Sequence, residues 1–198
     1  MVVIGITGNI GSGKSSVCQI LANLGATIID ADKLGHETYR PHSQAWQEIV
    51  AAFGKEIIKP DEEIDRQKLG QIVFSNPNAL TQLNQIVHPQ AYRIAQEKIE
   101  HYRRQGTKAV ALEATLLIEA KWTPLVNKVW LVIAPETIVV QRLAQHKGIT
   151  ETQTLARLKS QMPVEEKMKY ADEIIRNDGN TSQLEARVTE LWHKLNII

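Results

Sequence analysis

Residues Gly5 to Ser16 read GITGNIGSGKSS, four glycines around one lysine and three serines. A run so poor in side chains cannot build a core, and its neighbours limit what it can be. The segment MVVIGIT leading into it is apolar and β-branched, as in a buried strand, while SSVCQILANLG after it sets Val17, Ile20, Leu21 and Leu24 at helical spacing. The glycines therefore join a strand to a helix N-terminus. Gly8, Gly11 and Gly13 permit backbone angles that a Cβ disfavours, so consecutive N–H groups can line one concavity, to which the helix adds its free N–H groups and positive dipole end. Such a concavity suits a polyphosphate. Gly8-Asn9-Ile10-Gly11-Ser12-Gly13-Lys14-Ser15 fits GxxxxGK[ST], in which Lys14 reaches the β- and γ-phosphates and the Ser15 hydroxyl ligates Mg²⁺; Ser16 extends the expected ATP contacts.

Further along, ATIID (Ala26–Asp30), KAVALEA (Lys108–Ala114), KVWLVIA (Lys128–Ala134) and DEIIRN (Asp172–Asn177) are short apolar-centred runs that make five strands with the first. Helical patterns between them predict an α/β fold, a five-stranded parallel sheet flanked by helices on both faces. Lys33 to Gln105 is the exception, charged and helix-rich, with breaks expected at Pro41, Gly54, Pro60, Pro77 and Pro89. It reads as a helical insertion. A second polar helical segment, Gln141 to Lys169, is interrupted by Gly148 and Pro163. The expected division is a nucleotide core of 1–32, 106–140 and 170–198, an insertion of 33–105 and a lid of 141–169.

At 198 residues and 43% hydrophobic content, the chain can bury a full core. Lys plus Arg total 23 against 22 Asp plus Glu, so no bulk charge draws it to nucleic acid or an anionic membrane, and any anion site is local. The single cysteine, Cys18, falls on the apolar face of the first helix and reads as core. With no apolar run of membrane-spanning length and no basic signal head, a cytoplasmic protein is expected, as monomer or weak homo-oligomer.

A phosphate loop serves switches, motors and kinases alike. DKLG (Asp32–Gly35) matches a switch motif and NKVW (Asn127–Trp130) resembles a guanine-reading one, but Asp32 follows Lys14 by only 18 residues and Trp130 replaces the aspartate that would read guanine. A motor ATPase wants adjacent acidic residues at a strand end; Glu113 stands there without an Asp-Glu pair. A small-molecule kinase needs an acceptor-binding insertion, an acid near the acceptor hydroxyl and a basic lid that excludes water. Asp30 and Asp32 follow the second strand at the carboxyl edge of the sheet, where two-residue alternation would turn both toward the phosphate loop. Asp32 would orient the hydroxyl and accept its proton, with helix capping as the alternative role. Arg142 and His146, four apart on one helical face, would belong to the lid. A nucleoside or nucleotide kinase, or a non-catalytic nucleotide-binding module, remains an alternative at this point.

In order along the chain, GITGNIGSGKSS, IDAD, FGKEII with IDR, QIVHP, TLLIE, QRL, KSQMPVEEK and ADEIIRNDG together resemble the dephospho-coenzyme A kinase family of P-loop kinases. The resemblance implies transfer of the ATP γ-phosphate, with Mg²⁺, to the ribose 3′-hydroxyl of dephospho-CoA, the last step of coenzyme A synthesis. It implies Lys14, Asp32 and Arg142 as catalytic residues, Arg142, His146 and Asn177 as further ATP contacts with Asn177 near the adenine, and Asp30, Asp32, His88, Leu116 and Glu119 as acceptor contacts. The insertion becomes the acceptor domain, and Pro89 equally suits a proline-set helix boundary. Departures are Thr115 in place of proline, Glu62 at a turn glycine, His42 where Pro-Gly is usual after Pro41, and His146 in place of a second lid arginine.

Overall fold

β1 (Val2–Thr7) leads through the glycine loop into α1 (Lys14–Asn23), and β2 (Thr27–Asp30) follows. The chain then turns helical through α2 (Ala31–Thr38), α3 (Gln44–Phe53), α4 (Arg66–Ser75) and α5 (Pro77–Arg104). It returns to strand in β3 (Ala109–Glu113) and β4 (Lys128–Ile133), and α6 (Glu136–Lys147), α7 (Glu151–Lys159) and α8 (Val164–Met168) precede β5 (Glu173–Arg176) and α9 (Thr181–Lys194). The structure is a computed structural model that describes residues 1–196; Ile197 and Ile198, at the end of the expected core segment, lie outside the described residues.

The five strands form one parallel sheet in the order β2-β3-β1-β4-β5. After β1 the chain first builds the β2–β3 side and then crosses to β4 and β5, so strand order reverses at β1. In open α/β sheets the crevice beyond the carboxyl ends at such a reversal is where ligands bind, and here it is the glycine loop. Ile4, Ile6, Trp130, Val132 and Ile175 of the sheet bury against Val17, Cys18 and Leu21 of α1 and Leu184, Val188 and Leu191 of α9. Burial pushes the Cys18 thiol well up, with the Glu113 carboxylate adding to the effect, so this residue is core rather than nucleophile.

Two compact units result: one of Met1–Asp30 with the chain from Lys98 onward, the other of Ala31–Glu97. The second has its own core, in which Ile49 and Phe53 of α3 and Leu69 and Val73 of α4 pack with Ile57, Ile64 and the apolar stripe of α5 that includes Leu83, Ile86 and Val87. Ser43 caps α3 by accepting from the Trp46 N–H, and Asp65 caps α4 by accepting from Gln67 and Lys68. Strand structure is confined there to one antiparallel bridge, Ile58 with Ile64.

Pro89 corrects an expectation, because it neither breaks nor bounds a helix but lies inside α5. Proline removes one N–H from the ladder and crowds the carbonyl four residues back. Ile86 and Val87 before it and fully packed Ala91 and Ala95 after it bury one face of the helix on both sides, and that packing outweighs the local penalty. The other punctuation falls where expected. Gly148 ends α6 in the left-handed region at φ 61°, and Pro163 opens α8.

Candidate active site

In the loop between β1 and α1 the closest approaches that exclude a Cβ are at two of its glycines. Gly8 has φ 146° and Gly13 has φ 99°. A Cβ on Gly8 would run into the Val132 carbonyl oxygen, and one on Gly13 into the side-chain nitrogen of Asn177. Gly13 also takes the N-cap position of α1, so no side chain caps the first turn of that helix. Lys14 is buried, and its Nζ donates to the carbonyl oxygens of Gly8 at 3.0 Å and Asn9 at 3.3 Å. Its ammonium is thereby held inside the ring of backbone rather than in solvent.

Ser15 is exposed at the start of α1, and its Oγ donates to Glu113 Oε1 at 2.7 Å. Glu113 ends β3, where it pairs in register with Ile6 on one side and Asp30 on the other. In the sequence Glu113 is marked only as a lone carboxylate at the carboxyl end of a central strand, with no second acid beside it. A hydroxyl and a carboxylate this close are hard oxygen donors, the kind Mg²⁺ takes singly or in pairs while phosphate and water fill the rest of its octahedron. Among the described residues no cluster of three or more His, Cys, Asp or Glu could cage a metal without such outside ligands.

On the other side of the loop, Val139 and Leu143 of α6 pack against Ile10. This anchors the helix so that Arg142, between them in sequence, reaches the loop. Arg142 Nη2 donates to the Asn177 carbonyl oxygen at 3.0 Å and to Oδ1 at 3.3 Å, while Asn177 Nδ2 donates to the Ser12 carbonyl oxygen at 2.8 Å. Asn177, just past β5 and buried, thus clamps the phosphate loop to the guanidinium. Arg142 Nη1 lies 3.7 Å from where a Gly13 Cβ would be, and it is buried with no partner among the described residues. Ser12 Oγ and Asn9 Oδ1 are in the same condition. Buried polar atoms without partners are costly, and three of them around one loop mark a place where a polar ligand completes the bonding. His146 is exposed in the last turn of α6, and Ser16 is exposed on α1.

Beyond β3, the loop that holds Leu116 and Glu119 is tied down by groups that sequence reasoning left without roles. Lys167 of α8 is fully buried, and its Nζ donates to Glu119 Oε1 at 2.9 Å and the Thr115 carbonyl oxygen at 3.0 Å. Glu119 Oε1 also accepts from the Met162 N–H at 3.2 Å. Gln161 Oε1 accepts from the Ile10 N–H at 3.0 Å, so neighbouring residues of one turn hold both the phosphate loop and the loop after β3. Their only sequence signal was the segment KSQMPVEEK.

Two expected acceptor residues lie in the helical unit. His88 is half-buried on α5, and burial pushes its imidazole below the ordinary histidine value, favouring the neutral ring. Asp32 is exposed in the first turn of α2. The alternation that was to turn Asp30 and Asp32 to one side does not hold, because α2 begins at Ala31, directly after β2, and a helix turns each residue by about 100° rather than 180°. Asp32 instead gains from the helix dipole, which favours a negative charge in the first turn.

A family model described as dephospho-CoA kinase matches residues 2–183. The dephospho-CoA kinase of Geobacter metallireducens is 45% identical over 192 residues, covering 97% of this chain and 96% of that protein. Among solved structures, TT1252 from Thermus thermophilus superposes with a TM-score of 0.80 at 34% identity, covering 98% of this chain and 97% of that one. The dephospho-CoA kinase from Campylobacter jejuni gives a TM-score of 0.72 at 28% identity, covering 98% and 96%. No helix among the described residues is long and apolar enough to cross a membrane.

Proposed function

The chain belongs to the dephospho-CoA kinase family, and from that premise we propose how its residues divide the work of an ATP-dependent phosphotransfer to dephospho-CoA. The acceptor's 3′-hydroxyl oxygen attacks the γ-phosphorus, the bond from that phosphorus to the β–γ bridging oxygen breaks, and ADP leaves. The hydroxyl proton passes to a carboxylate, the role we give to Asp32. The product is coenzyme A, and the reaction closes its biosynthesis.

The observation that carries this reading is the ring of donors around the Gly8–Ser16 loop. Lys14 Nζ is stationed at the loop carbonyls, and Arg142 Nη1 is buried and uncommitted beside Gly13. Charge builds on the β/γ-phosphate oxygens during transfer, and fixed cations in a partly dry site stabilise it without reorganising. Asn177 holds the Arg142 guanidinium in place through two bonds, which frees Nη1 for phosphate. We assign Ser15 and Glu113 to Mg²⁺, directly or through water, where the ion would offset the charge of the β- and γ-phosphates. His146, one turn beyond Arg142, is the further lid contact to ATP in this scheme, and the segment 141–169 acts as the lid. We assign acceptor contacts to Asp30, His88, Leu116 and Glu119 and the role of acceptor domain to 33–105. The protein works in the cytoplasm as a monomer or weak homo-oligomer.

The test is to incubate the protein with MgATP and dephospho-CoA and identify the products by mass spectrometry and phosphorus NMR. Coenzyme A bearing a 3′-phosphate, formed in step with ADP and abolished in Arg142→Ala, is expected. ATP turnover without a phosphorylated acceptor, or full activity in Arg142→Ala, would refute the scheme.

A further inference from the structure

The peptide that joins Asn9 to Ile10 is held at both of its ends. Its carbonyl oxygen, on Asn9, accepts from Lys14 Nζ at 3.3 Å and from the Ser12 N–H at 3.2 Å. Its N–H, on Ile10, donates to Gln161 Oε1 at 3.0 Å. A trans peptide is planar, so its carbonyl and N–H point to opposite sides and turn together. Any rotation that takes the Ile10 N–H off Gln161 also swings the Asn9 carbonyl away from Lys14 and Ser12. Gln161 therefore acts on the phosphate loop across 151 positions of chain, through one rigid plane.

The glutamine is itself fixed. It belongs to the turn between α7 and α8, and the N–H of the next residue, Met162, donates to Glu119 Oε1 at 3.2 Å, the oxygen that also takes the buried Lys167 ammonium at 2.9 Å. Pro163 then opens α8 with its φ set by the ring. Lys167 Nζ donates in addition to the Thr115 carbonyl, which accepts from the hydroxyl of Thr7, the residue before Gly8, at 3.3 Å. The bonds thus leave the loop at Thr7, pass through Thr115, Lys167, Glu119 and Met162, and return to it from Gln161 at Ile10. The Ile10 side chain meanwhile packs with Val139 and Leu143 of α6 and Leu158 of α7. Backbone and side chain of one loop residue are both set from the segment that carries Arg142.

We propose that Gln161 is a positioning residue for ATP: it locks the Asn9–Ile10 peptide in the orientation that stations the Lys14 ammonium for the triphosphate. The inference rests on the reading of the Gly8–Ser16 loop as the phosphate cradle. Lys14 has a second acceptor in the Gly8 carbonyl, so the Asn9 end does not hold the plane by itself. Without the Gln161 oxygen the peptide can turn, only part of the population has Lys14 in place, and the apparent Kd for ATP rises as that part shrinks. Bound ATP restores the orientation, so kcat at saturation is spared. A bond that served only to hold the α7–α8 turn would lower Tm and leave ATP affinity alone.

The test measures Kd for MgATP by calorimetric titration without acceptor, together with Tm, kcat and both KM values, for wild type, Gln161→Met, Gln161→Asn, Lys14→Ala and the double variant Lys14→Ala with Gln161→Met. Methionine keeps the length and loses the acceptor; asparagine keeps the amide and falls a methylene short. Each is expected to raise Kd and KM for ATP by roughly threefold to tenfold, the worth of one hydrogen bond, with kcat and KM for dephospho-CoA near wild type. In the Lys14→Ala background, where the ammonium to be positioned is gone, Gln161→Met should change Kd by less than about twofold. An unchanged Kd for ATP in Gln161→Met, an equal rise in both backgrounds, or a matching rise in KM for dephospho-CoA would overturn the proposal. If Gln161→Met fails to fold, Gln161→Asn decides in the same two backgrounds. A wild type that does not bind MgATP refutes the reading of the loop; one that binds it no better than Gln161→Met refutes the positioning role alone.

Discussion

Replacing Lys167 with methionine removes the fully buried ammonium that joins α8 to the loop after β3. Methionine fills nearly the same volume, so the loss is electrostatic and not a cavity. What it leaves behind can be counted. The Thr115 carbonyl keeps the Thr7 hydroxyl as a donor at 3.3 Å, but the Glu119 carboxylate, whose side chain is only 21% exposed, is left with the Met162 N–H alone. Breaking a buried pair in this one-sided way costs about 3–5 kcal/mol, because the surviving charge stays desolvated. For a chain of this size each kcal/mol lowers Tm by about 2–4 °C, so Lys167→Met should melt some 6–20 °C below wild type.

The second half of the cycle separates charge from packing. Glu119→Gln keeps an oxygen for the Met162 N–H, and combined with Lys167→Met it leaves no buried charge. The double variant should therefore recover most of the loss, with a coupling of at least about 2 kcal/mol between the two sites. Thermal and urea unfolding of all four proteins, followed by circular dichroism, measures this. A cost for Lys167→Met below about 1 kcal/mol, or single-variant costs that simply add, would refute the argument that the pair holds this part of the fold.

Lys14→Ala should stay folded and bind ATP weakly while losing at least about a hundredfold in kcat, since Lys14 serves charge on the transferring phosphate; near wild-type turnover would exclude it from the chemistry. Asp32→Asn should lower kcat by roughly a hundredfold with little change in KM for ATP, and a variant that melts early while retaining kcat would point to a structural role in α2 instead. The Val129 N–H, with help from Lys128, holds the Asp172 carboxyl below its ordinary value of 3.8. A depressed carboxyl contributes stability that is present above its unfolded value and lost as pH falls through its folded one, so the gap in urea midpoint between wild type and Asp172→Ala should be full at pH 7 and shrink below about pH 4; a gap independent of pH would contradict this. Glu62 has φ 65°, a backbone that disfavours a Cβ by about 1–2 kcal/mol. Glu62→Gly should be neutral or stabilising by up to about 1 kcal/mol, and Glu62→Val should cost at least about 1 kcal/mol, as read by urea unfolding.

The strands and the phosphate loop were legible because their signals are local. Five apolar runs, each closed by a polar or glycine-rich stretch, became five strands with ends within a residue or two of expectation. Lys14, Ser15 and the glycines followed from one short pattern. Legibility ended where a contact spans the chain. Asn177 meets Ser12 across 165 positions and Gln161 meets Ile10 across 151, and no periodicity records such a meeting. The clamp that aims Arg142, and the buried Lys167–Glu119 pair, became visible only when β5 and α8 were placed beside the loop. The shared facing expected of Asp30 and Asp32 failed for the opposite reason. The strand pattern was right up to Asp30, but it was extended by two residues into a helix that starts without a linking turn.

His42 and Glu62 show how far a departure from a family pattern can be interpreted physically. Each stands where glycine is common in the family that the motifs resemble, and each has a positive φ, 66° and 65°. The two side chains meet: His42 Nε2 and Glu62 Oε2 are 3.0 Å apart, the His42 ring lies 5.5 Å from that of Trp46, and Trp46 Nε1 donates to the Glu62 carbonyl oxygen at 2.8 Å. Both side chains are more than half exposed, so the pair is worth at most about 1 kcal/mol. Two left-handed non-glycine residues cost more than that together. The Trp46 bond must therefore share the task, since it fixes the backbone of Glu62 itself and does not depend on the charge of His42. It follows that Trp46→Phe, which keeps the ring and deletes the donor, should destabilise this unit more than His42→Ala does, and that the excess should disappear in a Glu62→Gly background, where the backbone no longer needs holding. An equal excess in both backgrounds would show that Trp46 acts through packing alone.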